Sequence, residues 1–293
     1  MQLKDKIIIV GGPTTSGKTD YAINLAKKIN AEIINADSQQ VYSEIPILTA
    51  QPTSEEKQGI PHFLFGYKTL NNDHSVGIWL KEVIPVINEI IYRNKTPIIV
   101  GGTGMYLKAL SDGINEIPDV SLEIKLEVHK QLEELGNAKF HEELQKIDPI
   151  LANKIFPNDA QRMLRAMEVY VASGKPLSFF QSQPKKIFFP IDKFFKIKII
   201  KPREELYQKC NDRFVKMWNS GVLEEAKYVL SQNYKPTAIL KAHGLPQIIA
   251  YLKGEMLEEE VIKISQQITR NYVKRQFTWF THQGGDYIEN FEL

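Results

Sequence analysis

The stretch KIIIVGGPTTSGKT, residues 6–19, joins a short β-branched run to a glycine-rich loop. Its second part fits the motif G-x-x-x-x-G-K-[ST] between a strand pattern and a helix pattern, which is the context of a phosphate-binding loop. Glycines let backbone N–H groups turn towards phosphate oxygens, Lys18 supplies a positive charge, and Thr19 can hold Mg²⁺. The predicted phosphate-binding residues are Gly12, Pro13, Thr14, Thr15, Ser16, Gly17, Lys18 and Thr19. The loop predicts a phosphorylated ligand without saying which one, because nucleoside triphosphates and other diphosphate esters offer the same oxygens.

Two further apolar runs, residues 32–36 and 97–100, repeat the strand pattern, and the second also ends in two glycines. Helical patterns lie between the runs, at about residues 18–29 and 77–93. Pro85 is expected to bend the second of these helices or to delay its start. The order β-α-β-α-β predicts an α/β fold with a parallel sheet of the P-loop NTPase type.

The middle of the chain has a different pattern. Residues 113–193 show charged, amphipathic helices without a strand signal, and residues 194–200 then alternate like a strand that returns to the sheet. We therefore predict an inserted all-helical domain at 113–193, and a core made of residues 1–112 with residues 194–293.

The last long helix, at about residues 258–281, carries two stripes of interest. The apolar stripe is expected to be buried and consists of Val261, Ile264, Ile268 and Tyr272. The second stripe consists of Lys263, Gln267, Arg270 and Lys274. This cationic stripe could contact phosphates or could be an ordinary solvated helix face.

The composition excludes several classes of protein. With 43% hydrophobic and 25% charged residues among 293, the chain has the composition of a folded globular protein. A single cysteine, Cys210, excludes an internal disulfide and a zinc or iron–sulfur site built from thiolates. A signal-peptide core is lacking, and so is any run of about 18 apolar residues, so we expect a cytoplasmic protein without a membrane segment.

Polar residues follow two of the predicted strands. Residues 37–42, DSQQVY, come after the second strand, and residues 101–106, GGTGMY, come after the third. Open α/β folds bind ligands at this carboxyl edge of the sheet. Asp37 could act there as a general base or a magnesium ligand, or it could simply shape a turn. Residues 94–97, NKTP, lack the aspartate of a guanine-reading N-K-x-D motif, which disfavours a regulatory GTPase.

Five spaced segments together resemble one known family. They are GPTTSGKT at 12–19, NADSQQVY at 35–42, GGTGMY at 101–106, NDAQRMLRAMEV at 158–169 and TRNYVKRQFTWF at 269–280. In this order, over about residues 6–281, they closely resemble the bacterial tRNA dimethylallyltransferases. Five motifs in sequence are far more specific than the phosphate loop alone.

The resemblance implies a reaction and its partners. The family transfers a dimethylallyl group from dimethylallyl diphosphate to the exocyclic amine of the adenosine just 3′ of the anticodon, typically in tRNAs that read codons beginning with U. Diphosphate leaves, and Mg²⁺ assists. By this resemblance, the phosphate loop holds the diphosphate of the donor, and the helical domain binds the anticodon stem-loop of tRNA. We expect the chain to act as a monomer.

The resemblance also implies roles for individual residues. Asp37 would accept the proton of the amine, while Lys18 and Mg²⁺ held by Thr19 would stabilise the leaving diphosphate. Thr103 would lie near the donor and the target base, and Arg213 would contact the diphosphate. The residues expected to contact tRNA are Asp37, Ser38, Gln39, Gln40, Thr103, Gln161, Arg162, Met163, Leu164 and Arg165. An exposed helix arginine is the ordinary alternative for Arg162, Arg165 and Arg213.

The chain departs from the family pattern at two places. Where the family commonly has R-x-x-G-Y-[RK], residues 241–247 read KAHGLPQ, so the basic start Lys241 and the glycine remain while the aromatic residue and the second cation are lost. Contacts from this segment to tRNA are therefore open. The family element P-H-H/R-L is present as PHFL at 61–64, where His62 lacks its polar neighbour and is expected to be structural.

Three other functions fit part of the pattern. An isopentenyltransferase acting on free adenine nucleotides shares the loop and the chemistry but would not need the helical domain. A small-molecule kinase also combines a phosphate loop, an aspartate and basic helices. An ATP-gated RNA-binding module would tolerate substitution of Asp37.

Overall fold

The computed structural model describes residues 3, 5–232, 234, 242–283 and 285–292. Within them, a six-stranded parallel sheet has the strand order β3-β2-β4-β1-β5-β6. The strands are β1 (Ile7–Gly11), β2 (Ala31–Asn35), β3 (His62–Phe63), β4 (Thr96–Gly101), β5 (Phe194–Lys198) and β6 (Ile288–Glu289). This sheet confirms the predicted α/β class.

Helices surround the sheet or follow one another in the middle of the chain. They are α1 (Lys18–Ile29), α2 (Val76–Tyr92), α3 (Gly104–Asp112), α4 (Leu122–Ile147), α5 (Pro149–Ala152), α6 (Ala160–Ser173), α7 (Leu177–Gln181), α8 (Arg203–Trp218), α9 (Val222–Ser231), α10 (Leu245–Leu252) and α11 (Glu258–His282). A 3₁₀ turn at Ile191–Lys193 precedes β5. Among the described helices, none has both the length and the apolar character needed to cross a membrane.

The centre of the sheet is buried on both faces. Every residue of β1, β2 and β4 is buried, which explains the consecutive Ile and Val residues at the centre of each strand. Helix α2 begins at Val76 because Ser75 accepts the N–H of Ile78 as its N-cap, so Pro85 does not delay the start. Pro85 lies inside α2 on its exposed side, where the carbonyl of Lys81, left without its helical donor, can be solvated.

The chain forms two compact units. One consists of Met1–Ser111 with Phe189–Leu293 and contains the sheet, and the other consists of Asp112–Phe188. In the second unit, residues such as Phe140, Leu144 and Met163 form a separate hydrophobic core. An antiparallel bridge between Ile114 and Lys186 joins its two ends.

The buried face of α11 differs from the expected one. Val261 is fully buried, as predicted, but Ile264 is 38% exposed, so the prediction for that residue was wrong. The other buried residues of this helix are Ser265, Val273, Gln276 and Phe280. Two polar residues therefore occupy the face that packs inside the unit, and hydropathy alone could not identify it.

Backbone packing at the end of β4 generates a test of the fold. Gly101 pairs with Gly11 of β1, and a Cβ atom at Gly101 would lie 2.1 Å from the carbonyl oxygen of Ala36. Because that oxygen belongs to the adjoining chain segment and cannot rotate away, we expect Gly101→Ala to lower the free energy of unfolding by about 2 kcal/mol, as overpacking does. Urea unfolding followed by tryptophan fluorescence measures this change.

Gly77→Ala is the matched control. A Cβ atom there, in the first turn of α2, has its nearest neighbour, the Oγ of Ser75, 3.9 Å away. Alanine also favours helix over glycine, so this variant should be as stable as the unsubstituted protein or more stable, by up to about 1 kcal/mol. Equal stability of the two variants would contradict the packing argument.

Candidate active site

The phosphate loop wraps around the N-terminus of α1. Gly17 ends the loop with a φ of 91°, a conformation that favours glycine, and no side chain caps the helix there. Gly12 begins the loop where a Cβ atom would lie 2.4 Å from the carbonyl oxygen of Ile199. The first-turn N–H groups of α1 and the positive end of its dipole are the elements that bind an anion at such a loop.

Lys18 lies buried at the base of this loop. Its Nζ donates to the carbonyl oxygen of Pro13 at 3.3 Å. Burial lowers the pKa of Lys18 to about 8, with Arg213 lowering it further and the carboxylate of Asp37 opposing the shift. The ammonium group is therefore charged at pH 7 but titrates within a unit or so above it.

Asp37 lies directly after β2 and is only 7% exposed. Its Oδ1 accepts the N–H of Gln39 at 2.9 Å, and its own N–H donates to the Oδ1 of Asn35 at 2.8 Å. Oδ2 accepts no hydrogen bond from the described part of the chain. The aspartate thus shapes a turn with Oδ1, as one of the two interpretations predicts, while its role as a general base or magnesium ligand stays a prediction.

Thr103 connects the ends of β2 and β4. Its N–H donates to the carbonyl oxygen of Ala36 at 3.2 Å, and its Oγ1 accepts the N–H of Ser38 at 3.0 Å. The hydroxyl of Tyr272, from α11, lies near the side chains of Thr103 and Ser38. Burial, then the charge of Asp37, raises the pKa of Tyr272 above its ordinary value, so this hydroxyl stays protonated.

Arg213 reaches the phosphate loop from α8. Its Nη2 donates to the Oγ1 of Thr14 at 2.9 Å. Burial lowers the pKa of Arg213, but arginine remains charged at any physiological pH. The structure therefore brings two cations, Lys18 and Arg213, together with the carboxylate of Asp37.

Asp37, Arg213 and Tyr272 line one cleft in the sheet-containing unit. Its polar lining includes Thr14, Asp37, Gln39, Arg213, His243 and Tyr272, and its apolar lining includes Leu48, Phe214 and Met217. A cleft with cations at the phosphate loop and an apolar wall beside them suits a phosphate ester of a small hydrocarbon. Sequence reasoning missed Tyr272 as a site residue because its position on an apolar stripe indicated a core residue.

The segment that departs from the family pattern lies partly at this cleft. Lys241 falls outside the described residues. His243 donates its N–H to the Oε1 of Gln39 at 3.3 Å, and its ring packs edge-on against Tyr272 with centroids 4.8 Å apart. Leu245 is fully buried in the core. In this chain, the segment therefore contributes the imidazole of His243 to the cleft and the side chain of Leu245 to the core.

Several residues predicted to contact tRNA also have structural partners. The side-chain amide of Gln40 donates to the carbonyl oxygens of Thr49 and Ala50, at 3.1 and 2.7 Å. In the other unit, Met163 and Leu164 are buried in the helical core, so their side chains pack inside the unit rather than reach its surface.

Of the remaining members of that predicted set in the helical unit, Gln161 and Arg162 are exposed and Arg165 is half-buried. Arg162 pairs with Asp159 at 3.4 Å, and Arg165 pairs with Glu168 at 3.8 Å. Such surface pairs are weak, so they leave both guanidinium groups accessible to a stronger anion.

The remaining predicted residues have ordinary surroundings. In the cationic stripe of α11, Arg270 donates to the Oδ1 of Asn211 at 2.7 Å, whereas Lys263 and Lys274 are exposed. His62 bonds through Nδ1 to the carbonyl oxygen of Ile60 at 2.7 Å, and burial lowers its pKa. A structural role for His62 fits this arrangement.

Comparison with known proteins identifies the family. The family model described as IPP transferase matches residues 40–283, and the model described as isopentenyl transferase matches residues 5–72. The chain belongs to the IPP transferase family. It is 40% identical to the tRNA dimethylallyltransferase of Wolbachia pipientis subsp. Culex pipiens, over 96% of this chain and 94% of that protein. It is 38% identical to the tRNA dimethylallyltransferase of Rhizobium etli, over 96% and 95%.

Solved structures of the family agree. The full-length tRNA isopentenylpyrophosphate transferase of Bacillus halodurans is similar with a TM-score of 0.68 and 31% identity, covering 98% of this chain and 89% of that one. A eukaryotic dimethylallyltransferase acting on tRNA gives a TM-score of 0.80 and 29% identity, covering 97% and 73%. The predicted membership of the tRNA-prenylating transferases and the P-loop type of fold are thereby confirmed.

The titration of Lys18 predicts how the binding of inorganic pyrophosphate depends on pH. Because the pKa of Lys18 is about 8, the protein should bind inorganic pyrophosphate more weakly as pH rises from 7 to 9, where the ammonium group loses its proton. Isothermal calorimetry at several pH values measures the dissociation constant.

Lys18→Met is the control for this pH dependence. It should bind pyrophosphate more weakly at pH 7, and the ratio of its dissociation constant to that of the unsubstituted protein should shrink towards pH 9. Comparing the two proteins cancels the titration of pyrophosphate itself. A ratio that stays constant across this range would show that Lys18 does not titrate there.

Proposed function

We propose that this protein transfers the dimethylallyl group of dimethylallyl diphosphate to the exocyclic amine of the adenosine just 3′ of the anticodon in tRNAs that read codons beginning with U. One observation carries the proposal: Asp37 lines the same cleft as Arg213 and Thr14 of the phosphate loop. A cationic site for a leaving diphosphate therefore lies beside a carboxylate that can take a proton. The names of the tRNA-modifying relatives support the choice of tRNA as acceptor.

The donor fits the two halves of the cleft. Its diphosphate would bind to the loop amides, Lys18 and Arg213, and its five-carbon chain would lie against Leu48, Phe214 and Met217. Negative charge grows on the diphosphate as the carbon–oxygen bond breaks. The two cations stabilise this transition state more than the ground state, which is how preorganised charges accelerate a reaction.

The chemistry of the loop fits Mg²⁺. This ion takes oxygen ligands and binds to proteins through one or two of them together with water and substrate phosphates. Thr19, half-buried in the first turn of α1, offers such an oxygen, whereas no group of three His, Cys, Asp or Glu in the described residues could hold a metal alone. Thr19 and the diphosphate would hold the ion together. When bound, it supplies positive charge that neutralises the leaving group.

Asp37 acts on the acceptor. The lone pair of an adenine amine is delocalised into the ring, so the amine is a weak nucleophile. As the bond from nitrogen to the first prenyl carbon forms and the bond from that carbon to the diphosphate oxygen breaks, the amine gives a proton to Oδ2 of Asp37. The turn that holds Oδ1 fixes the direction of the carboxylate.

Recognition of the base would use the polar residues at the same edge. An anticodon-loop base must leave its stack to reach the cleft. Ser38, Gln39 and Thr103 offer hydroxyl and amide groups for a base edge, and the bond from the N–H of Ser38 to Oγ1 of Thr103 holds two of these residues together. Gln161, Arg162 and Arg165 of the helical unit, and Lys263 and Lys274 of α11, would contact the RNA backbone.

One experiment separates the candidate functions. The purified protein, with Mg²⁺ and radiolabelled dimethylallyl diphosphate, is incubated with an unmodified tRNA reading a U-starting codon and, in parallel, with AMP or ATP. We expect the label to appear in tRNA. We also expect the protein to act as a monomer. Label in the free nucleotide alone would favour the nucleotide-specific enzyme, and consumption of ATP without transfer would favour a kinase or ATPase.

Asp37→Asn tests the proton acceptor. The amide cannot accept a proton, so we expect the rate of single-turnover transfer to tRNA to fall at least about a hundredfold, within the range of general base catalysis. Quenched-flow measurement with saturating donor and tRNA reports this rate directly.

Binding measurements on Asp37→Asn control for damage to the structure of the site. Its Oδ1 can still accept the N–H of Gln39, so the turn after β2 should persist. Binding of tRNA should therefore stay within about threefold of the original protein, and pyrophosphate should bind no more weakly, because a negative charge beside it has been removed. Near-normal transfer by the folded variant would remove Asp37 from this role.

A further inference from the structure

Gln276 is a buried polar residue of α11 that the mechanism above does not use. Its side chain is 5% exposed and makes two hydrogen bonds to backbone groups far away in the sequence. Oε1 accepts the N–H of Thr14 at 2.8 Å, and Nε2 donates to the carbonyl oxygen of Gly102 at 3.0 Å. One amide group therefore bridges the phosphate loop and the turn after β4.

The bridge has a single geometry. The amide of Gln276 fits in only one orientation, with its oxygen towards the N–H of Thr14 and its NH₂ group towards the carbonyl oxygen of Gly102. In the reverse orientation, a donor would face a donor and an acceptor would face an acceptor. The amide also packs closely against the backbone of Gly102, where a Cβ atom would lie 2.1 Å from Nε2 of Gln276. The side chain is consequently held from several directions in a space where it cannot rotate freely.

Both ends of the bridge are attached to residues of the cleft. Thr14 receives the guanidinium of Arg213 on its Oγ1 at 2.9 Å. Gly102 immediately precedes Thr103, whose Oγ1 receives the N–H of Ser38 at 3.0 Å. A shift of the amide would therefore move the cationic side of the cleft relative to the side that carries Asp37.

We propose that Gln276 is a positioning residue for the transfer reaction, which sets the phosphate loop and Arg213 against the turn of Thr103. The inference rests on the proposed function, since it assigns the loop to the diphosphate of the donor. Gln276 touches neither substrate. It acts by keeping Thr14 where Arg213 and the loop amides meet the diphosphate together.

The main test is Gln276→Met, which keeps the length of the side chain and removes both hydrogen bonds. Losing two buried bonds should weaken alignment of the loop, so we expect KM for dimethylallyl diphosphate and the dissociation constant for inorganic pyrophosphate each to rise about tenfold or more. KM for tRNA should change less than twofold. A residue that only filled space would tolerate methionine, so this split distinguishes positioning from packing.

Two further variants make the test independent of one substitution. Thr278→Ala, at an exposed position of the same helix, is the control and should leave all constants unchanged. Gly102→Ala leaves Gln276 chemically intact but pushes its amide away, and its Cβ atom would also lie 3.1 Å from the carbonyl oxygen of Gly12, so it should raise both constants for the donor at least as much. If Gln276→Met lacks a cooperative thermal transition and is therefore not properly folded, Gly102→Ala provides the test of the positioning role.

The outcomes separate the two proposals. Folded Gln276→Met and Gly102→Ala proteins with unchanged KM for the donor and unchanged pyrophosphate binding would overturn the positioning role alone. An original protein that neither binds pyrophosphate nor transfers label to tRNA would overturn the proposed function and this inference with it.

Discussion

Helix α11 and the loops after β1 and β4 can approach one another only because glycine stands at the contact points. Gly11 would meet Phe280, Gly102 would meet Gln276, and Gly104 would meet Trp279 if any of these glycines carried a Cβ atom. The close approach lets side chains of one helix reach both halves of the cleft. The phosphate loop, the turn of Thr103 and the hydroxyl of Tyr272 all take their positions from this contact.

The charges in the cleft depend on one another. Lys18 and Arg213 are desolvated, which disfavours their charged forms, and the carboxylate of Asp37 compensates part of that cost. Without a ligand, two cations face one anion. The diphosphate of the proposed donor would supply the missing negative charge, and the groups that would bind it are already in place.

Local sequence signals identified much of this arrangement. The phosphate loop, the central strands and the carboxylate after β2 each depend on residues that are neighbours in the chain, and the structure has them where the patterns indicate. Tyr272 and Gln276 were missed, because their partners lie far away: Gln276 bonds to Thr14 across 262 positions and to Gly102 across 174. Hydropathy also misassigned Ile264, since polar residues occupy the buried face of α11. The one signal in the sequence that could have indicated Tyr272 and Gln276 is the presence of polar side chains at helical spacing from buried positions of α11.

The cleft is assembled from the two ends of the chain, and this ordering has a consequence during synthesis. At roughly 5–20 residues per second, a ribosome needs about 13–50 s to add the 262 residues between Thr14 and Gln276. For that time the nascent phosphate loop lacks the helix that holds it, while the all-helical unit, encoded in between, can already fold. Competence for ligand binding therefore arrives only with the last helix, so a chain interrupted before residue 258 would have the phosphate-loop motif without a working site.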